Sequence, residues 1–272
     1  MTPRNRRREV AIAALLVLYA TLTVLVLLPH TFLLTFDSWC LHLNLIHKHA
    51  AWWPWIHSYV EFGQRGPATL TFLPFFFWVA WRERSTKPLV LLAVGLLWLN
   101  FSVGVAKYAI GRVGPYHQSN VHDLFVWGNS IYPSGHVSNA VVLYGLIAWI
   151  APRYRRTLIT IAVFLSVTVG LGTVYLRTHW ISDVFGGWVA GALVLLTIPY
   201  FMPTAQRLTD WAIYRGRLAW QRRSVGMPVP VAPGAAVPVR QRIQRVPSPA
   251  APRHLVTAVS ARELVDDPAR LP

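Results

Sequence analysis

Three short polar groups interrupt an otherwise apolar chain, and their residue types suit work on a phosphoryl group. Pro133-Ser134-Gly135-His136 opens the apolar run Val137 to Ile150. A helix N-terminus offers unpaired N–H groups and the positive end of the macrodipole, so it receives an anion readily. Ser134 can cap that helix and donate a hydroxyl, and Gly135 lets an anion approach the backbone. His136 can gain or lose a proton near neutral pH. The second group, His179-Trp180-Ile181-Ser182-Asp183, opens another apolar run. On a helix His179 and Asp183 share one face. A carboxylate at one ring nitrogen fixes the tautomer and frees the other nitrogen to attack or to take a proton. The third group is Lys107 and Arg112, beside Gly111 and Gly114 at the end of a long apolar stretch. A charge at bilayer depth costs at least ~2.5–3.5 kcal/mol on insertion scales, which makes both residues functional candidates. Each group has a plainer explanation: a capped helix with a solvated histidine, a polar helix start, and cations snorkelling to headgroups. Snorkelling suits Arg112 better than Lys107.

The elements that position these groups are membrane helices. The 272 residues are 54% hydrophobic and 13% charged, with a mean hydropathy of +0.40, values of an integral membrane protein. Thirteen tryptophans suit anchorage at bilayer interfaces. The net charge of +16 does not point to nucleic acid, because the basic residues sit at the ends of apolar runs and in the tail. Cytoplasmic flanks facing anionic lipid explain them more simply. A single cysteine, Cys40, excludes an internal disulfide and any cysteine-based zinc cluster.

Six apolar segments are expected to span: Val10–Leu28, Gly66–Trp81, Pro88–Ile110, His136–Ile150, Thr157–Leu176 and Trp180–Phe201. The second and fourth are short for a span of about 20 residues and must extend into their flanks or cross a thin region. The first follows Arg4, Arg6, Arg7 and Arg8 and lacks a small-x-small cleavage site, so it reads as an uncleaved span. Six spans put the N-terminal arginines, the 82–87 cluster, Arg153/Arg155/Arg156 and the Arg207 to Arg223 stretch on one side, the cytoplasm. All three polar groups then face outward. Residues 31–62, with Trp39, Trp52, Trp53 and Trp55, read as interfacial helix. His42, His47, His49 and His57 lack an evident completing carboxylate or cysteine and read as solvated or interfacial. The expected organisation is a basic N-terminus (1–9), a membrane domain (10–203), a basic juxtamembrane segment (204–223) and a disordered cytoplasmic tail (224–272). The Trp211 to Trp220 stretch suits an amphipathic helix on the inner leaflet.

Over about residues 60–200 the chain resembles the type 2 phosphatidic acid phosphatase superfamily, or lipid phosphate phosphatases, similar in catalytic core to bacterial acid phosphatases and vanadium haloperoxidases. The family pattern is a Lys–Arg motif, then Pro-Ser-Gly-His, then Arg-x5-His-x3-Asp. The matching positions are Lys107, Pro133 to His136, and His179 with Asp183. The resemblance implies an all-α integral membrane bundle of six transmembrane helices. It implies His179 as the nucleophile that forms a phosphohistidine, Asp183 as its orienter and His136 as the acid for the leaving oxygen. Lys107, Ser134 and the Gly135 N–H would hold the phosphoryl oxygens. No metal or other cofactor is expected.

Two family arginines are replaced. Gly114 stands before Pro115 where the first motif has Arg, and Gly172-Thr173 stand where the third begins Ser-Arg. Losing such a charge-assisted contact typically costs ~1.5–3 kcal/mol. Arg112 and Arg177 are the candidate replacements; on a continuous helix Arg177 would lie back over Thr173. The expected function is hydrolysis of a lipid phosphate or pyrophosphate, of the phosphatidate, phosphatidylglycerol phosphate or polyprenyl pyrophosphate class, at the outer face of the plasma membrane. A lipid-linked phosphotransferase on the same core and a non-catalytic anionic-lipid binder are the competing readings. Membrane lipid, with anionic inner-leaflet lipid at the basic tail, is the expected partner.

Overall fold

Apolar runs bounded by caps, prolines and basic residues dictate helices, and all regular structure among the described residues is helical. The computed structural model describes residues 3–224 apart from 46–48, 116–119, 127 and 129. His47 and the expected tail from 225 onward lie outside the described residues. The helices are α1 (Pro3–Leu27), α2 (Phe32–His42), α3 (Trp53–Val60), α4 (Arg65–Arg82), α5 (Lys87–Ile110), α6 (Gly135–Ile150), α7 (Arg155–Tyr175) and α8 (Ile181–Ser224).

Each of the six expected apolar segments forms a helix. Among the described residues four stretches are long and apolar enough to cross a membrane: Asn5–Leu27, Lys87–Ile110, Pro152–Tyr175 and Ile181–Gln221. The two expected short segments are α4, interrupted by Pro74, and α6, with 16 residues. At 1.5 Å per residue α6 is about 24 Å long, short of a ~30 Å hydrocarbon core. Its environment explains how so short a helix is accommodated. It packs against α4, α5, α7 and α8. Non-helical chain beyond its ends is tolerated where protein, rather than lipid, surrounds it. α1 shows the opposite pattern: Val10, Leu16, Val17 and Val24 are exposed, as suits a lipid-facing helix.

The core lies between α4, α5, α6 and α8, around Phe76, Leu99, Leu143, Leu146 and Ile198. Gly187 permits a close approach at the site end of the bundle. A Cβ there would stand 2.9 Å from the Ser134 carbonyl and 3.0 Å from Val137 Cβ, so α8 lies directly on the start of α6. The segment 31–62 contains the helices α2 and α3, with a 3-10 turn at Ala50–Trp52 leading into α3. α2 is two-sided: Leu33, Leu34 and Asp37 are buried, while Phe32, Phe36 and Trp39 are exposed. The sixth span and the juxtamembrane segment are one helix. α8 continues through Pro199 and Pro203 for 44 residues, about 66 Å at the standard rise.

The basic flanks meet in space. The Arg8 guanidinium lies 4.5 Å over the Tyr200 ring, and Gln206 Nε2 donates to Thr86 Oγ1 at 2.9 Å. The start of α1, the α4–α5 turn and the middle of α8 therefore share one end of the bundle. The polar motifs lie at the opposite ends of α5, α6 and α8.

Candidate active site

α5 ends where Gly111 takes a left-handed conformation (φ 59°) and its N–H bonds back to the Lys107 carbonyl. Any Cβ at Gly111 would also lie 2.8 Å from the Phe125 backbone, so glycine is needed for two reasons. This stop leaves Lys107 in the last turn, where its Nζ donates to the Ser130 carbonyl at 2.9 Å. The chain beyond is tied down by its own backbone. Val113 N–H donates to Asp123, Val126 N–H to Gly111 and Ile131 N–H to Arg112.

Ser134 is the N-cap of α6; its hydroxyl accepts from Val137 N–H at 3.5 Å, and it is fully buried. Its own N–H donates to the Asp183 carbonyl at 2.9 Å, and Ser138 Oγ bridges the Ser134 and Gly187 carbonyls. These bonds staple the start of α6 to the start of α8. Gly135 and His136 stay partly open. The nearest atom to a Cβ built on Gly135 is Lys107 Cε at 3.8 Å, which sets the lysine stem beside that glycine.

α7 ends in a two-bond cap: Thr178 N–H donates to Thr173 and Arg177 N–H to Val174. The residue at the left-handed position is Arg177 (φ 59°), where glycine is usual. The turn delivers His179 to the α6 start. The His136 and His179 rings meet edge to face with centroids 5.6 Å apart. His179 Nδ1 is 3.6 Å from Asp183 Oδ2, an ion-pair distance longer than a hydrogen bond. Asp183 Oδ2 also accepts from the Trp180 N–H at 2.9 Å, capping α8. Burial lowers the proton affinity of His179 below the ordinary histidine value, while the Asp183 carboxylate acts in the opposite direction. The neutral imidazole is favoured.

Lys107, Ser134, Gly135, His136, His179 and Asp183 thus converge at one end of the bundle. The two candidate replacement arginines have other partners. Arg112 is fully buried; Nη1 donates to Asp183 Oδ1 at 2.8 Å and to Ser182 Oγ at 2.6 Å, and Nη2 donates to Asp37 Oδ2 at 2.7 Å. Its guanidinium also lies 5.5 Å from the Trp180 ring. The helix expected to carry Arg177 back over Thr173 stops at Tyr175, and Arg177 Nη2 donates to Asn44 Oδ1 at 3.1 Å. At the replaced positions, Thr173 is fully buried with its hydroxyl on the Gly170 carbonyl. A Cβ on Gly114 would stand 3.0 Å from the Thr178 carbonyl.

Asp37 was not anticipated. Its only signal in the sequence is an acid inside the apolar stretch Phe32 to Trp39, which is by itself a functional flag in a membrane chain. The interfacial histidines stay outside the cluster. His49 stacks on Trp52, His57 stacks on Trp53, and His42 Nδ1 lies 2.6 Å from the Ser38 carbonyl. Among the described residues no group of three or more His, Cys, Asp or Glu is placed to hold a metal ion.

The fold and the site together define a helical membrane protein with a histidine pair, a carboxylate and a lysine gathered at a capped helix start. Residues 88–207, which carry all three motifs, match the PAP2 superfamily. The chain is 32% identical over 104 residues to phosphatidylglycerophosphatase B of Bacillus subtilis (strain 168). That match takes in 36% of this chain and spans about half, 49%, of the relative's length. The fold is similar to the crystal structure of a transmembrane PAP2 type phosphatidylglycerolphosphate phosphatase from Bacillus subtilis. The TM-score is 0.60 at 21% identity, covering 71% of this chain and 96% of that one.

Proposed function

We propose that the protein is a metal-independent membrane phosphatase that hydrolyses a lipid phosphate through a phosphohistidine. The observation that carries this reading is the pairing of His136 with His179, centroids 5.6 Å apart, with Asp183 behind one ring and Lys107 beside Gly135. Anion binding alone has no need of a nucleophile with its own carboxylate. In the proposed sequence Asp183 closes from 3.6 Å onto the proton on His179 Nδ1 when substrate binds, and Nε2 attacks phosphorus. The bond from phosphorus to the lipid oxygen breaks, and His136 gives that oxygen its proton. A phosphate anion beside His136 favours its protonated form. Water then gives a proton back to His136 and attacks the phosphohistidine, which releases phosphate. Lys107, the Gly135 N–H and the Ser134 hydroxyl hold the charge that spreads over the phosphoryl oxygens.

Phosphatidylglycerol phosphate heads the candidate substrates because the curated relative and the structural neighbour are both named for it. An apolar groove of about 590 Å³ lined by Phe36, Cys40, Trp52, Ile56, Leu171 and Ile181 suits a lipid tail. The spatial meeting of the basic flanks supports a cytoplasmic placement for that end and an extracytoplasmic site. The test is phosphate release by full-length protein from phosphatidylglycerol phosphate, phosphatidate and polyprenyl pyrophosphate, with His179→Ala as the blank. We expect release from at least one, and a loss of about 10⁴-fold or more in the variant. Release that survives His179→Ala overturns the mechanism. Absence of release and of transfer across the panel favours a non-catalytic lipid binder, the reading motivated by Gly114 and Thr173.

A further inference from the structure

We propose that Asp37, on α2 and outside all three motifs, is a positioning residue for the His179–Asp183 pair, acting through Arg112 and Ser182. This inference rests on the phosphohistidine reading above.

The geometry is a closed ring. Asp37 is 1% exposed, and both its oxygens are engaged. Oδ2 accepts from Arg112 Nη2 at 2.7 Å and from Ser182 Oγ at 2.6 Å; Oδ1 accepts from the Ser182 N–H at 2.9 Å. The same Ser182 hydroxyl accepts from Arg112 Nη1, which also donates to Asp183 Oδ1. Asp37 therefore grips both the first turn of α8 and the guanidinium that holds the catalytic carboxylate.

Stability alone accounts poorly for this arrangement. Apolar residues of similar volume often do as well as a buried ion cluster, or better. Orientation accounts for it. A guanidinium facing a single carboxylate tends to pair with both of its oxygens. Asp37 takes Nη2 of Arg112 and Nε reaches no acceptor among the described residues, so Asp183 is engaged by Nη1 alone, at Oδ1, and Oδ2 stays on the His179 side. Charge points the same way. Asp37, Asp183 and Arg112 sum to one negative charge beside a neutral imidazole, and to zero once that ring becomes cationic on attack. Without Asp37 the cluster loses that balance.

The charged and titratable groups around His179 are Asp183 on α8, Lys107 on α5, His136 on α6, and Arg112 with Asp37 behind it. Removing the Asp37 charge leaves Lys107 and Arg112 less opposed and frees Arg112 to bind Asp183 more fully. Both changes disfavour a proton on His179.

The experiment uses full-length protein in detergent: wild type, Asp37→Asn, Asp37→Glu and His179→Ala. Phosphate release from phosphatidylglycerol phosphate is measured across pH, and the His179 ring is titrated by NMR with labelled histidine. In Asp37→Asn we expect kcat to fall about 10- to 100-fold, as for other supporting residues behind a site, with KM within about twofold. The His179 titration should move to lower pH, and Asp37→Glu should recover part of both effects. An unchanged kcat, or a loss of kcat with an unmoved His179 titration and no rescue by Glu, overturns the proposal. Should Asp37→Asn fail to fold, Ser182→Ala removes only the bridging hydroxyl. It must move the His179 titration in the same direction, and an unmoved titration there also overturns the proposal. The two readings fail separately. If wild type releases no phosphate but the His179 titration responds to Asp37, the phosphatase reading falls and the positioning role stands. If wild type turns over and Asp37→Asn matches it in both measurements, the reverse holds.

Discussion

His179 and Lys107 set the expectations at the scale of single residues. Burial is the largest influence on His179 and lowers its proton affinity below the ordinary value of 6.5. A nucleophilic imidazole must be unprotonated. A lowered proton affinity means that the neutral form persists as pH falls through 6.5 and is lost only further down. The acid limb of kcat/KM, corrected for the substrate's own ionisation, should therefore lie below that of a free histidine; a limb centred at or above 6.5 contradicts the assignment. Lys107 is placed beside Gly135 with a flexible stem, so Lys107→Ala should remove one charge-assisted contact and leave the fold in place. A loss of about 1.5–3 kcal/mol predicts a fall in kcat/KM of roughly 10- to 150-fold, read from steady-state phosphate release. Lys107→Ala with wild-type kcat/KM would exclude Lys107 from the phosphate site. Restoring arginine at Gly114 is not a route to higher activity, because a side chain there meets the Thr178 carbonyl on the turn that positions His179.

The elements hold the site by close approach and by caps. α6 and α8 touch through Gly187 at the Ser134 carbonyl, and the Ser138 hydroxyl bridges the same two helices. Gly187→Leu forces them apart where the N-cap and the histidine pair depend on their contact. Overpacking of this kind typically costs about 1–3 kcal/mol, so the thermal midpoint in detergent should fall. Phosphate release should fall further than the change in folded fraction explains. A variant with wild-type turnover would show that the α6–α8 contact is not what positions His136. α2 works differently: its aromatic face points outward, and its one buried charge reaches the start of α8.

At the scale of the molecule, charge and length are distributed unevenly along α8. Its first half is packed among the other helices, and its second half carries exposed Arg207, Arg215, Arg217 and Arg223. A helix of about 66 Å exceeds the hydrocarbon core by about twofold, so the basic half extends past it. Each basic residue near an anionic surface contributes about 1 kcal/mol, screened by salt. Replacing these four arginines with glutamine should sharply reduce retention of anionic lipid on the purified protein at low salt. Turnover per molecule should hold. Equal retention by the variant and wild type would remove the basic half of α8 as a lipid-binding element.

Local signals along the chain specify the helices and the ends at which the polar motifs sit. Apolar run length, Ser134 as a cap, Gly111 as a stop and flanking arginines are local signals, and a helix end responds mainly to its nearest residues. The six segments accordingly appear as helices, although the first begins at Pro3 and the sixth runs past Phe201 to Ser224. The polar motifs appear together because successive spans alternate in direction, which puts the end of α5 and the starts of α6 and α8 at one end of the bundle. The partners of the charged groups come from packing between distant parts of the chain. Asp37 and Arg112 are 75 positions apart, and Asp37 and Ser182 are 145 apart. No periodicity links such positions; packing of α2 against α8 does. The same holds for Arg177, whose side chain was expected on a continuing helix and instead leaves a capped turn toward Asn44. A buried charge takes whichever partner the assembled fold brings within reach, and that choice is made after the helices have formed.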